Sequence, residues 1–286
     1  MSSADAATTT WHARLELSVR RDDDGRCVVQ VTHVGPLRAL KTLHPEGPAI
    51  AHQVLVHPPG GIVGGDRLEI ALDLQAGAHA VITTPGATRF YRSAGGAGVQ
   101  QVHARVADGA RLEWLPLESI AHSGCLAENQ ARFELAASAE MIGWDLLALG
   151  LPAAGETFAA GRFTQHLELP GVWLERGVID SADSALLRSP LGLADRSALL
   201  TLWLAAGRAL PARRVDALVD AARECVQAHA AQPVLAGVTA LQQRVIVLRA
   251  LAHRVEPAMA LAQAVRAAWR GVAWQLPATA PRVWRT

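Results

Sequence analysis

The sequence predicts a mainly β protein: a two-layer β-rich sandwich or stacked-sheet body, with a few helices confined to the C-terminal third. Three observations point there. Short apolar runs of strand length recur about every ten to fifteen residues from residue 11 to about 185. Turn pairs such as Ala76-Gly77, Asp108-Gly109 and Pro170-Gly171 separate them, with no helical period between. A three-four apolar stripe first appears after about residue 185. Such spacing suits an antiparallel sandwich or a large twisted sheet stack. The whole chain, 1–286, reads as one domain, with a β body over about 11–185 and a helix-containing part over about 186–286.

Taken in order, residues 11–20 alternate and predict a strand, closed by a charged turn at Arg20–Arg26. Cys27–Val34 and Ala49–Val56 follow, separated by the proline-rich Pro36–Pro48. Further strands are expected at Leu68–Leu74, His79–Thr83, Gly98–Val106, Arg111–Trp114, Gln130–Leu135, Glu140–Leu149, Gly161–Leu169 and Val172–Ile179. Arg213–Ala230 places Val215, Leu218, Val219, Ala222, Cys225 and Val226 on one stripe, an amphipathic helix. Val234–Ala240 and Arg244–Ala250 predict a returning strand pair. Pro257–Trp269 predicts a second helix stopping at Gly271, and Leu276–Thr286 an extended tail.

Composition narrows the function classes. A formal net charge of +1 gives no bulk electrostatic case for nucleic acid or an acidic membrane surface. Hydrophobic residues make up 50% of the chain and mean hydropathy is +0.17, yet no apolar run reaches the roughly 18 residues of a membrane span. This composition and the late amphipathic helix predict surface that a partner covers. Met1–Thr10, small and polar with Asp5, does not read as a signal peptide. Cys27, Cys125 and Cys225 are dispersed and odd in number, which argues for a reducing, cytoplasmic setting rather than a disulfide framework.

The chemistry-bearing stretch is 54–93. It holds HPPGGIVGGD at 57–66 and TTPGATRFYRS at 83–93. Gly60-Gly61-Ile62-Val63-Gly64-Gly65-Asp66 has the glycine spacing of a phosphate loop, but Asp66 stands where that loop needs lysine and would repel phosphate. The glycines read instead as sites of positive φ or close chain crossing, with Asp66 bonding nearby amides. Asp66 has a second reading, as a waypoint for a divalent cation. No HxH or HxxxH occurs, so no firm metal site is predicted. The carboxylates to watch are Asp66, Glu113, Glu118, Asp145, Glu156 and Glu175. Asp66 with Glu118 or Glu156 would be the acid–base pair of a carbohydrate-active β-sandwich enzyme, the rival reading; an inert adaptor is another. No GxSxG supports serine catalysis. Trp114, Trp144, Trp173, Trp203, Trp269 and Trp274 are expected in the core, with Trp284 the most exposed.

These two loops, with Glu113-Trp114-Leu115-Pro116, Gly143-Trp144, Gly155-Glu156-Thr157-Phe158 and Pro281–Thr286, resemble the urease accessory protein D family, called H in some bacteria. The likeness runs from about Pro36 to the end. It implies a non-catalytic scaffold with a β-rich two-layer body. That scaffold docks on the urease apoprotein, recruits accessory proteins F and G, and helps pass nickel to the urease active site. It implies nickel in transit and no tightly bound cofactor; an internal water-filled passage goes with the family. By motif, the resemblance carries over His57, Gly60, Gly61, Gly64, Gly65 and Asp66; Thr84, Pro85, Gly86, Arg89, Tyr91 and Arg92; and Glu113, Trp114, Pro116, Glu118, Gly155 and Glu156. The metal-path candidates are His57, Asp66, Glu118, Glu156 and Glu175. The chain departs from the family at Leu117-Glu118 and His122-Ser123-Gly124-Cys125, where an aspartate is missing. It departs again at Gly150-Leu151-Pro152, which lacks an arginine.

Overall fold

The computed structural model describes residues 10–285; the polar stretch 1–9, read above as no leader, and Thr286 lie outside them. The strands are β1 (His12–Arg21), β2 (Cys27–Val34), β3 (Arg38–Ala39), β4 (Ala51–Val56), β5 (Arg67–Leu74), β6 (His79–Thr83), β7 (Thr88–Phe90), β8 (Gly98–Val106) and β9 (Arg111–Leu115). They continue with β10 (Ser119–Ala121), β11 (Cys125–Leu135), β12 (Glu140–Leu149), β13 (Gly161–Leu169), β14 (Trp173–Asp180), β15 (Ala198–Ala206), β16 (Val234–Leu241) and β17 (Val245–Ala252). The helices are α1 (Ser184–Arg188), α2 (Ala212–Ala228) and α3 (Val255–Trp274).

Two stacked sheets form the body, as expected. The smaller runs β14-β13-β11-β8-β5-β1-β2 and the larger β16-β17-β15-β12-β9-β6-β4-β3, with β10 joined to β12 and β7. The sheets are mixed rather than wholly antiparallel: the outer pairs β1–β2, β13–β14, β12–β15, β15–β17 and β16–β17 are antiparallel and the central ones are not. The pairs β5–β8, β8–β11 and β11–β13 are parallel, as are β4–β6, β6–β9 and β9–β12. Parallel neighbours need a long crossover, usually a helix. Here the crossover for one sheet is a strand of the other: from β4 to β13 the chain shuttles between the layers. Strand spacing in sequence is the same for a hairpin and for this shuttle, so the pattern could not separate them.

The inter-sheet core contains Leu15, Leu17, Leu72, Phe133, Met141 and Trp203, all at most 2% exposed. Opposite strand positions on the larger sheet, among them Trp144, Leu202 and Leu248, pack against α2 and α3 as a second core. The helices thus add a third layer. The α2 stripe Val215, Leu218, Val219 and Ala222 is buried there. Its apolar face is therefore covered by the chain itself, and α2 does not support a partner-covered surface. α3 runs through Gly271 to Trp274, where Gln275 caps it in the left-handed region (φ 52°). Gly271 adds no steric reason to stop, and buried Ala273 and Trp274 draw the last turn onto the sheet. Trp284 is half-buried rather than exposed. Its ring lies 5.2 Å from Trp144 and its Nε1 donates to Thr83 Oγ1 at 2.9 Å, within a short 3-10 turn (Arg282–Arg285) that the extended reading of the tail missed. The exposed tryptophan is Trp11.

A buried ion network locks α3 onto the larger sheet. Arg266 Nε donates to Glu113 Oε2 at 2.7 Å, and Glu113 Oε1 lies 2.9 Å from His79 Nε2. Beside it, Arg270 NH2 donates to Glu46 Oε2 at 2.6 Å, and Glu46 Oε1 meets His52 Nε2 at 2.7 Å. Thr279 O accepts from both arginines and ties down the tail. Burial alone would raise the Glu113 carboxyl; Arg266, His79 and Arg270 outweigh it and hold it at about 2. Glu113, flagged as a candidate carboxylate, is therefore a structural anchor.

Candidate functional site

The two glycine-rich loops interlock at one end of the sandwich. Ile62 N donates to Arg89 O at 2.7 Å and Tyr91 N to Ile62 O at 2.9 Å, which makes a one-residue parallel bridge between Ile62 and Phe90. The glycines serve this in the two ways expected. Gly60 and Gly65 hold positive φ, 81° and 92°. Gly61 and Gly64 permit contact: a Cβ on Gly61 would lie 2.0 Å from Tyr91 Cε2, and one on Gly64 would lie 2.7 Å from Gly95 O. Asp66 closes the first loop from inside. It is buried, and its Oδ1 accepts from Trp11 N at 2.8 Å and its Oδ2 from Val63 N at 3.0 Å.

That geometry raises the cost of Asp66→Asn. The sequence alone suggests a loss of at most about 1 kcal/mol, one ordinary hydrogen bond. With two amides on two different oxygens, the asparagine Nδ2 must face one of these part-buried N–H groups. The expected loss is about 1–3 kcal/mol in urea unfolding; a variant within 0.5 kcal/mol of wild type would contradict the two-amide arrangement.

Two imidazoles flank the interlock. His57 lines a cavity of about 260 Å³ with Gly61, Thr84, Pro85, Arg89 and Gln100. Its Nε2 is buried without a partner, and burial lowers its pKa against the opposing pull of Asp66. His122 stacks at 4.8 Å on Tyr91, and its Nε2 is likewise unpartnered. Burial and Arg89 lower its pKa while Glu156 raises it. Both rings favour the neutral form, leaving a nitrogen lone pair available. Among the described residues, no three His, Cys, Asp or Glu side chains stand together as a metal cage.

From the cavity a polar seam crosses the otherwise apolar space between the sheets. On the smaller sheet Gln100, Asn129 and Gln165 are register partners on β8, β11 and β13. On the larger, Asp145, Thr201 and Arg249 are register partners on β12, β15 and β17. Gln100 Nε2 donates to Asn129 Oδ1 at 3.2 Å, and Asn129 Nδ2 to Asp145 Oδ2 at 2.8 Å. Glu175 on β14 accepts from Thr201 at 2.9 Å and from exposed Arg249, so the seam ends at the open edge of the sandwich. Thr88 and Gln100 line both the loop cavity and a small void that holds Asn129 and Asp145. Burial, with the Glu175 charge, lifts the Asp145 carboxyl to about 6 against the hydrogen bonds that lower it.

The predicted residues thus divide. His57, Gly60, Gly61, Gly64, Gly65 and Asp66 meet Pro85, Gly86, Arg89, Tyr91 and Arg92 at the interlock; Arg92 packs on Gly124. Glu156 is exposed beside His122. Glu118 lines a separate crevice of about 140 Å³ with Leu151, Arg254 and Glu256. Glu175 sits at the far end of the seam. The acid–base pairing of Asp66 with Glu118 or Glu156 finds no support here, because both Asp66 oxygens are held by amides. Asp145, one of the candidate carboxylates, lies within the seam. Its signal is an acid inside the apolar run Met141–Leu149 of β12, and Asn129 and Gln165 are the equivalent breaks among the inward-facing positions of β11 and β13.

The chain matches a sequence family described as UreD urease accessory protein over residues 12–285. It is 58% identical over 278 residues to the urease accessory protein UreD of Leptothrix cholodnii, covering 97% of this chain and 100% of that one. It is 56% identical over 275 residues to the protein of the same name from Albidiferax ferrireducens, covering 96% and 99%. The corresponding Methylibium petroleiphilum protein is 54% identical over 296 residues, covering 96% and 99%.

Proposed function

This chain belongs to the UreD family of urease accessory proteins, and on that premise we propose that it is a non-catalytic scaffold of urease maturation that passes nickel along the polar seam. It acts as one unit over 1–286 in the cytoplasm, docks on the urease apoprotein, and works with accessory proteins F and G. The observation that carries the reading is the seam itself, a line of amide, hydroxyl and carboxylate groups across an apolar core, hydrogen-bonded from Gln100 to Asp145 and from Thr201 to Glu175, with Asp145 and Thr201 as register neighbours. A buried polar line is costly, since burial opposes the charged form of Asp145 and above about pH 6 the fold carries that penalty. Oxygen donors and imidazole suit a borderline divalent cation, and single donors in sequence favour transit over retention. His57 and the loop cavity form the mouth at one end, Glu175 the exit at the other; Glu118 and Glu156 lie outside this line and serve as outer collectors.

The test separates path from scaffold. The ordinary value of the Asp145 carboxyl is 3.8 and the folded value is about 6. The protonated form is therefore favoured by folding: its stabilisation is complete below pH 3.8 and is lost as pH rises through 6. Asp145→Asn should then gain about 1–2 kcal/mol at pH 7–8, read in the thermal melt. A host deleted for this chain should make urease without nickel, and the Asp145→Asn gene should restore little of it. Fully loaded urease in the deletion host at limiting nickel would sink the maturation role. Full restoration by the stabilised Asp145→Asn chain would sink only the path.

A further inference from the structure

Opposite the loop interlock, at the N-terminal ends of β9 and β12, lies a second cleft of about 640 Å³. Arg111, Arg213 and Arg214 line it with Glu140, Ala273 and Gln275. A crevice of about 220 Å³ continues it past Arg208, sharing Glu140 and Arg214. Four arginines therefore converge where one acid lines the wall.

That acid is already used. Glu140 Oε1 accepts from Arg214 NH1 at 2.6 Å; its Oε2 accepts from Arg214 NH2 at 2.9 Å and from Trp274 Nε1 at 2.6 Å. Asp108, next to Gly109 at the rim, is bound through Oδ1 to Ser138 N and Oγ. Among the described residues, Arg111, Arg208 and Arg213 meet no carboxylate and no hydrogen-bond acceptor. Arg111 is half-buried with its guanidinium 5.4 Å from the centre of the Trp274 ring, so its face is stacked and its N–H edge is open. Burial, with the Arg214 charge, weakens its hold on the proton, against the pull of Glu140 and Glu113. At the first turn of α2, Pro211 offers no side-chain cap and its carbonyl takes up Arg214 N and Val215 N, which leaves Ala212 N and Arg213 N as backbone donors.

We propose that this cleft binds a di- or triphosphate group. One guanidinium saturates one carboxylate, as Arg214 and Glu140 demonstrate within the same cleft. Three further arginines without partners call for a compact ligand with about three negative charges, which a short phosphate chain supplies within the span of the cleft. Carboxylates would need three separate groups to do the same. The site is independent of nickel transfer: it shares no residue with the loop cavity or the seam.

Isothermal titration of the full-length chain with inorganic triphosphate tests it. Saturable binding is expected, weakening as salt rises. The double variant Arg111→Gln/Arg213→Gln should bind at least tenfold more weakly, while Arg176→Gln, on exposed β14, should bind as wild type. Arg208 and Arg213 are exposed and unpartnered, so Arg208→Gln/Arg213→Gln keeps the fold and should also lose affinity, about fivefold, if Arg111→Gln does not fold. No saturation at millimolar triphosphate, unchanged affinity in both double variants, or citrate binding as tightly as triphosphate would each overturn the proposal.

Discussion

Glu113→Gln should cost about 3–5 kcal/mol of folding stability, because it leaves the buried Arg266 guanidinium without its carboxylate and removes the second charge that Arg270 shares beside its Glu46 pair. A domain has only about 5–15 kcal/mol in all, so the melting temperature should fall on the order of 10 °C. The pH dependence has a definite sign. The folded Glu113 carboxyl is held at about 2 against an ordinary value of 4.5. Its contribution is therefore complete above pH 4.5 and is lost as pH falls from there towards 2. Urea unfolding at pH 7 and pH 3 reads this directly: wild type should lose stability on acidification by more than Glu113→Gln does. Equal losses in the two proteins, or a melt unchanged at pH 7, would show that α3 is held by packing alone.

Gly64→Ala should separate the two loops. Its Cβ would stand 2.7 Å from Gly95 O and 2.9 Å from Gly96 O, both backbone atoms, so no rotamer relieves the contact. A loss of about 1–3 kcal/mol is expected, together with poor urease activation, because the mouth of the cavity is built on the interlock. Gly86, in the partner loop, is the control. A Cβ there meets nothing within 4 Å and its φ is not positive. Gly86→Ala should leave stability within about 0.5 kcal/mol of wild type. If both variants melt alike, the glycines do not act through contact; if Gly64→Ala activates urease normally despite a lowered melt, the interlock is structural only.

The loop residues were legible because their chemistry is local. Glycine at 60, 61, 64 and 65 frees the backbone for positive φ or close approach and proline at 85 restricts it, wherever the chain is placed, and an acid ending such a loop finds amides. Asp66 shows the limit of that argument: Val63 N is three residues away and foreseeable, but Trp11 N is 55 residues away and is not.

Strand content, the late helices and the α2 stripe follow from periodicities of two and 3.6 along the chain itself, and here the sequence alone decided the matter. It also decided the family, through two long motifs whose order and content are rare. Which strands pair, and whether in parallel, depended on the chain shuttling between sheets, since identical spacing serves a hairpin equally well. The seam was beyond reach for the same reason: Gln100, Asn129 and Gln165 each interrupt the inward-facing apolar positions of strands whose outward positions are mostly polar anyway. Only parallel registration of β8, β11 and β13 opposite Asp145 turns them into one line. Charge pairing across 153 residues, as between Arg266 and Glu113, is likewise a product of the packed layers, because Coulomb attraction acts on distance in space and carries no trace of distance along the chain.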